Sequence, residues 1–551
     1  MPAVRLAVAQ TNPVVGDFEG NLAQIFGAID SALAAKADLV LFGEMSLCGY
    51  PIEDLASRPD FLAANDAALA QLLQFTTRPE ASNLTVVVGH AGHAATTPVA
   101  NWAIAQNRAT VLRGGLVVGS YNKHHLPNYS VFDEYRIFVP GSDSLTVEVG
   151  GLRFATLICE DVWQEGGPTS QIGALGVDVT LVLNGSPFEH TKDDTRLALI
   201  QGLAKRQSSA IVYANLVGGQ DDLVFDGSSF VVDSAGQEVA RCKSFESDLL
   251  IVDVEGKNSL SGFSTAQEQV GDDNWQIWNA LVLGLRDYVN KNGFKAVVLG
   301  LSGGIDSAVC ATLAVDALGA DRVLGVSLPS KYSSDHSKSD AADLASRLGI
   351  ELRSESIAPA VEVLEDQLGL TNTSAENLQA RVRGVILMGI SNQEGHLVLT
   401  TGNKTELAVG YSTIYGDSVG GFAPIKDVEK TRVWQLAKWR NANAIGKLAE
   451  PIPVNSIEKP PSAELRPGQV DQDSLPPYDL LDEILQRYVE GHQGRVALVA
   501  AGFDAATVDR VIALVDKAEW KRRQGAIGPK ITGLAFGRDR RLPITNRFRQ
   551  E

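Results

Sequence analysis

The segment LGLSGGIDSAVCATLAV, residues 299–315, limits the possible folds of this chain more than any other stretch. An apolar run ends in a glycine-rich turn that leads directly into an alanine-rich helical stretch, which predicts a strand, a loop and a helix in that order. The backbone N–H groups of such a loop can wrap a phosphate, and the helix N-terminus adds positive potential. Because the lysine of a Walker A loop is missing, the segment predicts a phosphate loop of another type.

The flanking sequence predicts that this loop belongs to a parallel sheet. An amphipathic helix at 275–293 comes first, and strand candidates at 295–301, 322–329 and 396–402 then alternate with helical stretches. Such a βαβ series is typical of a Rossmann-like domain, which we expect to span residues 276–551.

Residues 1–255 predict a separate α/β domain. Alanine-rich stretches at helical spacing lie between short β-type runs, and this mixture predicts sheets covered by helices. The polar segment 256–275 is expected to be a linker, and the proline-rich segment 459–479 is expected to be a surface loop. The strand candidates of the first domain are VRLAVAQ, ADLVLFGE, LTVVVGH, FATLICE, VTLVLNG, SAIVYANLVGG and SSFVVDS, and VVDSAGQEVA is a hairpin candidate.

Composition narrows the class of protein. A net charge of −18 and a pI near 5.0 argue against a general nucleic-acid binder, which carries a basic surface. There is no apolar segment of membrane length and no secretory signal, and the four cysteines form no C-x-x-C pair. We therefore expect a cytoplasmic protein without a structural zinc site. Residues 517–549 hold ten Lys and Arg against two acids, an excess that suits an anionic small ligand, a solvated surface or a subunit contact.

Three side chains of the first domain have the chemistry of an amide hydrolase. Cys159 ends a strand candidate and is followed by two acids, a position where a thiol can use the N–H groups of a turn, although a buried structural cysteine fits it as well. Glu44 also ends a strand candidate, and Lys123 follows another. The adjacent His124 and His125 are poor joint metal ligands, because neighbours on a strand point to opposite faces.

The segments around these residues resemble the nitrilase (carbon–nitrogen hydrolase) superfamily over nearly all of residues 1–255. The resemblance implies an α-β-β-α sandwich with a Glu–Lys–Cys triad. In that triad Cys159 attacks an amide, Glu44 is the general base and Lys123 stabilises the oxyanion. The same resemblance implies that Glu134 supports the lysine.

Four segments bring the resemblance closest to the glutaminase domain of glutamine-dependent NAD synthetases: GYPIEDL, KHHLPNYSVFDEYRIFVPG, NGSPF and NLVGGQDDLVFDG. It implies that Tyr129, Ser186 and Lys192 hold the amino-acid end of glutamine, although Tyr129 and Ser186 also fit ordinary turn residues. One departure is Gly43, where the family usually has proline before the glutamate. This departure changes the turn and is expected to leave the catalytic groups in place.

The six residues SGGIDS resemble the signature of the N-type ATP pyrophosphatases, which cleave ATP between its α- and β-phosphates. A carboxylate beside phosphates needs a cation, so the resemblance implies that Asp306 binds Mg²⁺ together with Glu406. Glu406 and Lys430 also fit plain surface charges. The residues that the resemblance assigns to ATP are Gly300, Leu301, Ser302, Gly303, Gly304, Ile305, Asp306, Ser307, Thr401, Lys430 and Ser462. Those that it assigns to deamido-NAD are Asn377, Arg381, Glu406, Lys521 and Lys530.

A nitrilase-type glutaminase followed by this ATP loop indicates the glutamine-dependent NAD synthetases, and downstream segments such as ENLQARVRG agree. GMP synthetase has another glutaminase domain, asparagine synthetase needs a terminal cysteine where this chain has Pro2, and a tRNA-thiolating enzyme needs a basic surface. The family implies a ligase that adenylates deamido-NAD with ATP and Mg²⁺. It then amidates the intermediate with ammonia from glutamine, and AMP, pyrophosphate and glutamate are released. A homo-oligomer is expected, without an organic prosthetic group, nucleic acid or membrane.

Two alternatives remain open on the sequence. One is an amidoligase with the same two modules and another substrate; the other is a non-catalytic nucleotide sensor, which the intact triad and SGGIDS loop disfavour. Ammonia released into neutral water becomes unreactive ammonium. The fusion of the two domains therefore predicts a shielded route for ammonia from Cys159 to the adenylation site.

Overall fold

The structure is a computed structural model that describes residues 3–94, 103–256, 260–262, 270–462, 464–466, 468–546 and 548. The chain divides into two compact units, which are residues 1–220 with 224–270 and residues 271–551 with 221–223. Part of the predicted linker, residues 257–259 and 263–269, lies outside the described residues. None of the helices that the described residues form has the length and apolar character of a membrane span.

The described residues of the first unit form two large sheets, a short hairpin and several helices. The strands are β1 Val4–Gln10, β2 Leu39–Phe42, β3 Thr85–His93, β4 Ala105–Arg113, β5 Leu116–Asn122, β6 Leu145–Val149, β7 Leu152–Ile158, β8 Val179–Asn184, β9 Ala210–Asn215, β10 Val217–Gln220, β11 Leu223–Asp226, β12 Phe230–Val232, β13 Glu238–Arg241, β14 Asp248–Val254 and β15 Leu260–Gly262. The helices are α1 Phe18–Ala34, α2 Pro59–Phe75, α3 Glu134–Ile137, α4 Gly167–Ile172 and α5 Lys192–Gln207.

The strand pairing in the two sheets explains how residues at different strand ends come close together. One sheet has seven strands in the order β15-β14-β1-β2-β3-β4-β5, and the other has six in the order β13-β12-β9-β8-β7-β6. β1, β2 and β3 pair in parallel, and so do β7, β8 and β9. Because parallel strands end at the same edge, residues that follow them are presented together at that edge. Each strand candidate of this domain overlaps a strand, and the hairpin candidate overlaps the antiparallel pair β12–β13.

Side-chain alternation explains how the layers stack. Along β1, Val4, Leu6 and Val8 pack into the core that the two sheets share, whereas Ala7 and Ala9 pack under α1 and α2. On the six-stranded sheet, α4 packs against β7, and α5 packs against β9 and β12. A helix layer therefore covers each sheet, and the predicted α-β-β-α sandwich is confirmed.

The second unit is built around a smaller sheet. Its strands are β16 Val297–Gly300, β17 Val323–Ser327, β18 Glu351–Ser354 and β19 Leu397–Val398. Its helices are α6 Asp273–Lys291, α7 Ile305–Leu318, α8 Asp335–Leu348, α9 Ala358–Leu368, α10 Thr373–Glu394, α11 Lys404–Val409, α12 Lys430–Ala442, α13 Val454–Glu458, α14 Tyr478–Leu485, α15 Arg495–Ala500, α16 Ala505–Lys517 and α17 Glu519–Arg522.

The four strands of this sheet run in the order β18-β17-β16-β19, and all neighbouring pairs are parallel. After β16 the chain builds outward through β17 and β18, and it then returns to place β19 on the other side of β16. Ligands of open parallel sheets bind beyond the strand ends at the point where the strand order reverses. The loop that follows β16 is SGGIDS, so the predicted Rossmann-like sheet is confirmed with the phosphate loop at this point.

One sequence expectation differs from the structure. The segment 459–479 does lack regular elements up to α14, apart from a 3-10 turn at Asp471–Asp473, but it is more than a surface loop. Asp471, Leu475 and Tyr478 are buried. The apolar residues among its prolines pack into the core of the second unit. The polar composition of the segment as a whole gives no sign of these buried positions. Ala463 and Pro467 lie outside the described residues.

Candidate active sites

The three predicted catalytic residues of the first unit lie at the ends of three strands and are all buried. Glu44 follows β2 and is 0% exposed, Lys123 follows β5 and is 1% exposed, and Cys159 follows β7 and is 6% exposed. A buried lysine and a buried glutamate are rare unless they are paired. The burial of Glu44 and Lys123 therefore requires that their charges be compensated inside the site.

Lys123 lies between two carboxylates. Its Nζ is 2.8 Å from Glu44 Oε1 and 2.8 Å from Glu134 Oε2. Glu44 also accepts a hydrogen bond from Asn107 Nδ2 at 2.6 Å and from the backbone N–H of Gly185 at 2.7 Å. The Tyr50 hydroxyl donates to Glu134 Oε1 at 2.8 Å. These bonds fix both carboxylates and the ammonium in one buried network.

Cys159 opens a 3-10 turn that runs to Val162, directly after β7. Its φ of 41° lies in the left-handed region, which a residue with a Cβ seldom adopts. Backbone strain of this kind costs about 1–3 kcal/mol and persists where the surrounding structure enforces it. The turn lifts the thiol out of the strand direction, as a nucleophile at a strand end requires.

The charges around the thiol set its protonation state. Burial, reinforced by the charge of Glu44, holds the pKa of Cys159 well above its usual value, while Lys123 acts in the opposite direction. Burial favours the neutral form of Lys123, but Glu134 and Glu44 outweigh it and raise the pKa of Lys123. Burial also raises the pKa of Glu134, to about 7. The thiol is therefore protonated in the resting site, and a reaction at Cys159 needs a base that accepts its proton.

Gly43, the departure from the family pattern, fits its surroundings. A Cβ at this position would come within 2.8 Å of Leu216 Cδ2 and 3.2 Å of the Asn184 carbonyl oxygen. The Leu216 side chain thus occupies the space that a larger residue before Glu44 would need.

The structure places the predicted glutamine contacts around this network with different degrees of burial. Tyr129 is 54% exposed. Its hydroxyl donates at 2.9 Å to Oε2 of Glu160, the residue that follows Cys159. Ser186 is buried after β8, and Lys192 is the first residue of α5 with its Nζ 3.8 Å from Glu189 Oε1. Their roles toward glutamine stay predictions.

His124 and His125 follow the end of β5 and do not lie on the strand. Their rings make an edge-to-face contact with centroids 4.6 Å apart, and His124 Nδ1 lies 2.8 Å from the Gly141 carbonyl oxygen. The expectation of opposite faces was wrong for this pair, because the strand period no longer applies after Asn122. Throughout the described residues, no group of three or more His, Cys, Asp or Glu side chains is arranged to hold a metal ion.

Sequence reasoning missed several buried polar residues that hold the predicted catalytic ones. Asn107 contacts Glu44, and Asp161 accepts hydrogen bonds from the segments on both sides of the site. Arg196 pairs with Asp226 at 2.7 Å, and its Nη2 donates to the Ser186 and Pro187 carbonyl oxygens. The sequence shows two acids after Cys159, but no local pattern indicates which distant groups such acids meet.

In the second unit, a cavity of about 300 Å³ lies beyond the end of β16. Its lining includes most residues that were assigned to ATP and metal, namely Gly300, Leu301, Ser302, Gly304, Ile305, Asp306, Ser307, Thr401, Glu406, Lys430 and Ser462. The lining also contains three unpredicted cations, Lys338, Arg383 and Lys459, together with the carboxylates of Asp417, Glu464 and Asp471.

The geometry of the SGGIDS loop explains its glycines and serines. Ser302 Oγ accepts the Gly304 N–H at 3.2 Å, and Ser307 Oγ donates to the Gly304 carbonyl oxygen at 3.0 Å. Gly303 has a φ of 76°, and a Cβ there would lie 2.6 Å from the Ser337 carbonyl oxygen. Only glycine fits at this point, so the close packing of the loop against α8 depends on it.

Two carboxylates and a buried lysine meet at the bottom of the cavity. The ammonium of Lys430, which is 1% exposed, bonds to Asp306 Oδ2 and lies 3.3 Å from Glu406 Oε1. Asn403 Nδ2 donates to Asp306 Oδ1 at 3.0 Å. Burial raises the pKa of Glu406 to about 8, against the opposing charge of Lys430. The two carboxylates converge on one position of positive charge. Because carboxylate oxygens are ligands that Mg²⁺ prefers, this pair fits a divalent ion.

Four of the residues assigned to deamido-NAD do not line this cavity. Lys521 Nζ donates to the Gly410 and Ser412 carbonyl oxygens, and Lys530 is buried with its Nζ 3.5 Å from Asp539 Oδ2. Asn377 accepts a hydrogen bond from the Thr413 hydroxyl. Arg381 is exposed and donates to the Ile414 carbonyl oxygen. Their assignment to the dinucleotide stays a prediction.

Comparison with known proteins matches two family models to separate parts of the chain. A family model described as carbon-nitrogen hydrolase matches residues 5–258, and one described as NAD synthase matches residues 277–525. The chain is 44% identical over 564 residues to the glutamine-dependent NAD(+) synthetase of Acinetobacter baylyi, with 100% of both chains covered. It is 46% identical to the enzyme of the same name from Xanthomonas campestris, over 99% of this chain and 98% of that one. Among solved structures, the glutamine-dependent NAD+ synthetase of Acinetobacter baumannii in complex with ADP is 41% identical over 99% of both chains, with a TM-score of 0.77.

Proposed function

Because this chain belongs to the glutamine-dependent NAD(+) synthetases, which are carbon–nitrogen ligases, we propose that its two units divide the family reaction between them. Its activity is the synthesis of NAD with glutamine as nitrogen donor. In the proposal, the first unit releases ammonia from glutamine at Cys159. The second unit binds ATP beside the SGGIDS loop and transfers that ammonia to activated deamido-NAD.

One observation carries the first half of the proposal. The buried Lys123 ammonium lies 2.8 Å from Glu44, and the charges of both residues act on the Cys159 thiol. Since Cys159 is protonated at rest, Glu44 takes the thiol proton as the sulfur attacks the glutamine side-chain carbonyl. Negative charge then develops on the carbonyl oxygen, and the fixed charge of Lys123 stabilises it.

The remaining steps use the same groups. The tetrahedral intermediate collapses to a thioester on Cys159 as ammonia leaves with the proton that Glu44 had taken. Water then attacks the thioester with Glu44 again as base, which releases glutamate and restores the thiol. Glu134 holds Lys123 through a second ion pair, and the Tyr50 hydroxyl donates a hydrogen bond to Glu134 in turn. This support keeps the ammonium aimed at one point.

For the second half, the proposal places the phosphates of ATP in the cavity beyond β16. The loop N–H groups and the N-terminus of α7 offer donors and positive potential to anions. The Acinetobacter baumannii relative was solved in complex with ADP, which supports an adenine nucleotide as the ligand of this fold. In this proposal Thr401, Lys430 and Ser462 contact the nucleotide, because all three line the cavity.

Asp306 and Glu406 are the residues that would hold Mg²⁺ in this cavity. When bound, the ion supplies positive charge that offsets the phosphates and polarises them. Lys430, which bonds to both carboxylates, provides the further charge that an attack on the α-phosphate requires. The carboxylate of deamido-NAD makes that attack, and ammonia displaces AMP from the adenylated intermediate.

Deamido-NAD binding and cellular location complete the proposal. Asn377, Arg381, Lys521 and Lys530 remain our candidates for dinucleotide contacts, with Glu406 at the junction with the metal. All four cysteines are buried and free of disulfides, which supports a reducing compartment and hence the cytoplasm.

The test uses the purified chain with ATP, Mg²⁺, glutamine and deamido-NAD, and follows NAD, AMP and glutamate together. We expect all three products in the intact chain. Cys159→Ala should lose glutamine-driven synthesis and keep synthesis with high ammonium. Cys242→Ala is the matched control, because Cys242 is a buried thiol of the same unit outside the catalytic network. If Cys159→Ala still used glutamine, or if it lost ammonium-driven synthesis, the assigned division of roles would be wrong.

A further inference from the structure

The catalytic groups of the first unit come from different sheets. Lys123 follows β5 at the edge of the seven-stranded sheet, and Cys159 follows β7 in the six-stranded sheet. Backbone hydrogen bonds fix the geometry within each sheet. The distance between the lysine and the thiol across the two sheets therefore depends on side-chain contacts at the strand ends.

Asp161 supplies contacts across this gap. Its Oδ1 accepts the backbone N–H groups of His124 at 3.1 Å and His125 at 2.8 Å. Its Oδ2 accepts the backbone N–H of Ile158 at 3.1 Å and the Tyr121 hydroxyl at 2.7 Å. Four donors, one from a strand of each sheet and two from the loop after β5, thus converge on one carboxylate, which is 0% exposed.

Three of these donors are sequence neighbours of the two predicted catalytic residues. Tyr121 and His124 lie on either side of Lys123, and Ile158 immediately precedes Cys159. Asp161 itself belongs to the 3-10 turn that holds Cys159 at its φ of 41°. Hydrogen bonds to an ionised carboxylate are stronger than neutral ones, and all the acceptor positions of this one are used within the catalytic neighbourhood.

We propose that Asp161 is a positioning residue that sets the placement of the Cys159 thiol relative to the Lys123 ammonium. The inference rests on the proposed function, because it concerns the glutaminase step assigned to these two residues. Asp161 acts through the backbone on both sides of the reacting groups and does not touch the substrate. If its bonds are lost, the strained turn relaxes and the thiol shifts relative to the ammonium. A misplacement of about 1 Å can lower a rate by about 100-fold.

Asp161→Asn is the decisive variant, because it keeps the size of the side chain and replaces one acceptor oxygen with an NH₂ group. That group faces two N–H or O–H donors and cannot accept from them. We expect kcat for glutamate release to fall by about 30- to 100-fold, with the KM for glutamine within about threefold of the original value. Ammonium-driven NAD synthesis should stay unchanged, which shows that the second unit is intact.

Two further variants calibrate this result. Tyr121→Phe removes one of the four donors, so kcat for glutamate release should fall by a smaller factor, about three- to tenfold. Asp233→Asn is the matched control: Asp233 Oδ1 accepts the backbone N–H groups of Ala235 and Gln237 in the turn between β12 and β13, away from the site. It should leave kcat unchanged.

A purely structural role predicts a different pattern, with lower thermal stability and an unchanged kcat. The rate at which iodoacetamide alkylates Cys159, measured against pH, reports the thiol environment directly and should change in Asp161→Asn. If Asp161→Asn folds and keeps kcat within threefold while Cys159→Ala abolishes glutamate release, the inference fails and the proposed function stands. If Cys159→Ala still releases glutamate, the proposed function fails first. Should Asp161→Asn not fold, an unchanged kcat in Tyr121→Phe overturns the inference.

Discussion

Replacing Lys123 with methionine tests the electrostatic core of the proposed glutaminase site. Methionine matches the length of the lysine stem and removes the charge that lies 2.8 Å from Glu44 and 2.8 Å from Glu134. Breaking a buried ion pair by removing one partner costs about 3–5 kcal/mol, because the other charge is left uncompensated. Part of this cost is relieved here, since the pKa of Glu134 is already raised to about 7 by burial and the group can take up a proton. We therefore expect the first unit of Lys123→Met to lose about 3 kcal/mol of unfolding free energy near neutral pH.

The catalytic loss is a separate quantity. Removing one preorganised donor from an oxyanion site lowers kcat by about 100- to 1,000-fold. A second variant, Lys123→Met with Glu134→Gln, removes one uncompensated carboxylate as well. It should regain a good part of the stability and none of the rate. This separation is what distinguishes oxyanion stabilisation from a merely structural lysine.

The assay measures glutamate release at saturating glutamine and urea unfolding of the same samples, with ammonium-driven NAD synthesis as a check on the second unit. Lys243→Met is the control: this lysine is about half exposed, with its Nζ 3.6 Å from Glu246 Oε2, and should change stability by less than about 0.5 kcal/mol. The reasoning is refuted if Lys123→Met keeps kcat within about fivefold of the original, or if the double variant recovers rate together with stability.

Four further predictions concern other parts of the molecule. Burial lowers the pKa of His90 to about 4, so the stability that the neutral ring contributes is complete above pH 6.5 and is lost as the pH falls through about 4. Chemical unfolding at several pH values should show that His90→Gln removes about 3 kcal/mol of this pH dependence. An unaltered dependence of the unfolding free energy on pH would contradict the prediction. Gly303→Ala should lower ammonium-driven NAD synthesis at least tenfold, whereas Gly319→Ala, which has a φ of 85° with open space around it, should not; equal effects would argue against the packed phosphate loop. Chelation of divalent ions should stop NAD formation with either nitrogen source, and Mg²⁺ should restore it; continued synthesis would remove Asp306 and Glu406 from the proposal. An added ammonia-consuming enzyme should leave glutamine-driven synthesis nearly intact, and its complete suppression would exclude a shielded transfer of ammonia.

The sequence was sufficient where structure is decided locally. The apolar run, the Ser–Gly–Gly turn and the alanine-rich stretch that follows predict β16, the SGGIDS loop and α7, because each depends on neighbours in the chain. The strand candidate at 396–402 was less accurate: β19 spans Leu397–Val398 alone, since the chain turns away to bond Phe422 once it passes Leu399. The residue at which a strand ends is set here by tertiary pairing, which leaves no signal in the local sequence.

Long-range polar contacts explain most of what the sequence could not provide. The four donors that converge on Asp161 come from two strands and a loop, and no spacing in the sequence links them. The same limit applies to the cations of the C-terminal segment. Lys530 is a basic residue in an excess of positive charge, yet the structure buries it beside Asp539, and composition cannot distinguish such a lysine from one that faces a ligand.

Isotope transfer tests the central claim most directly, which is that nitrogen released at Cys159 becomes the carboxamide nitrogen of NAD. The intact chain and Cys159→Ala are each supplied with ATP, Mg²⁺, deamido-NAD, glutamine labelled with ¹⁵N in its side-chain amide, and unlabelled ammonium in excess. Mass spectrometry then gives the isotope in the NAD that forms. We predict ¹⁵N-labelled NAD from the intact chain and unlabelled NAD alone from Cys159→Ala. Labelled NAD from Cys159→Ala, or NAD without any ¹⁵N from the intact chain, would contradict the account.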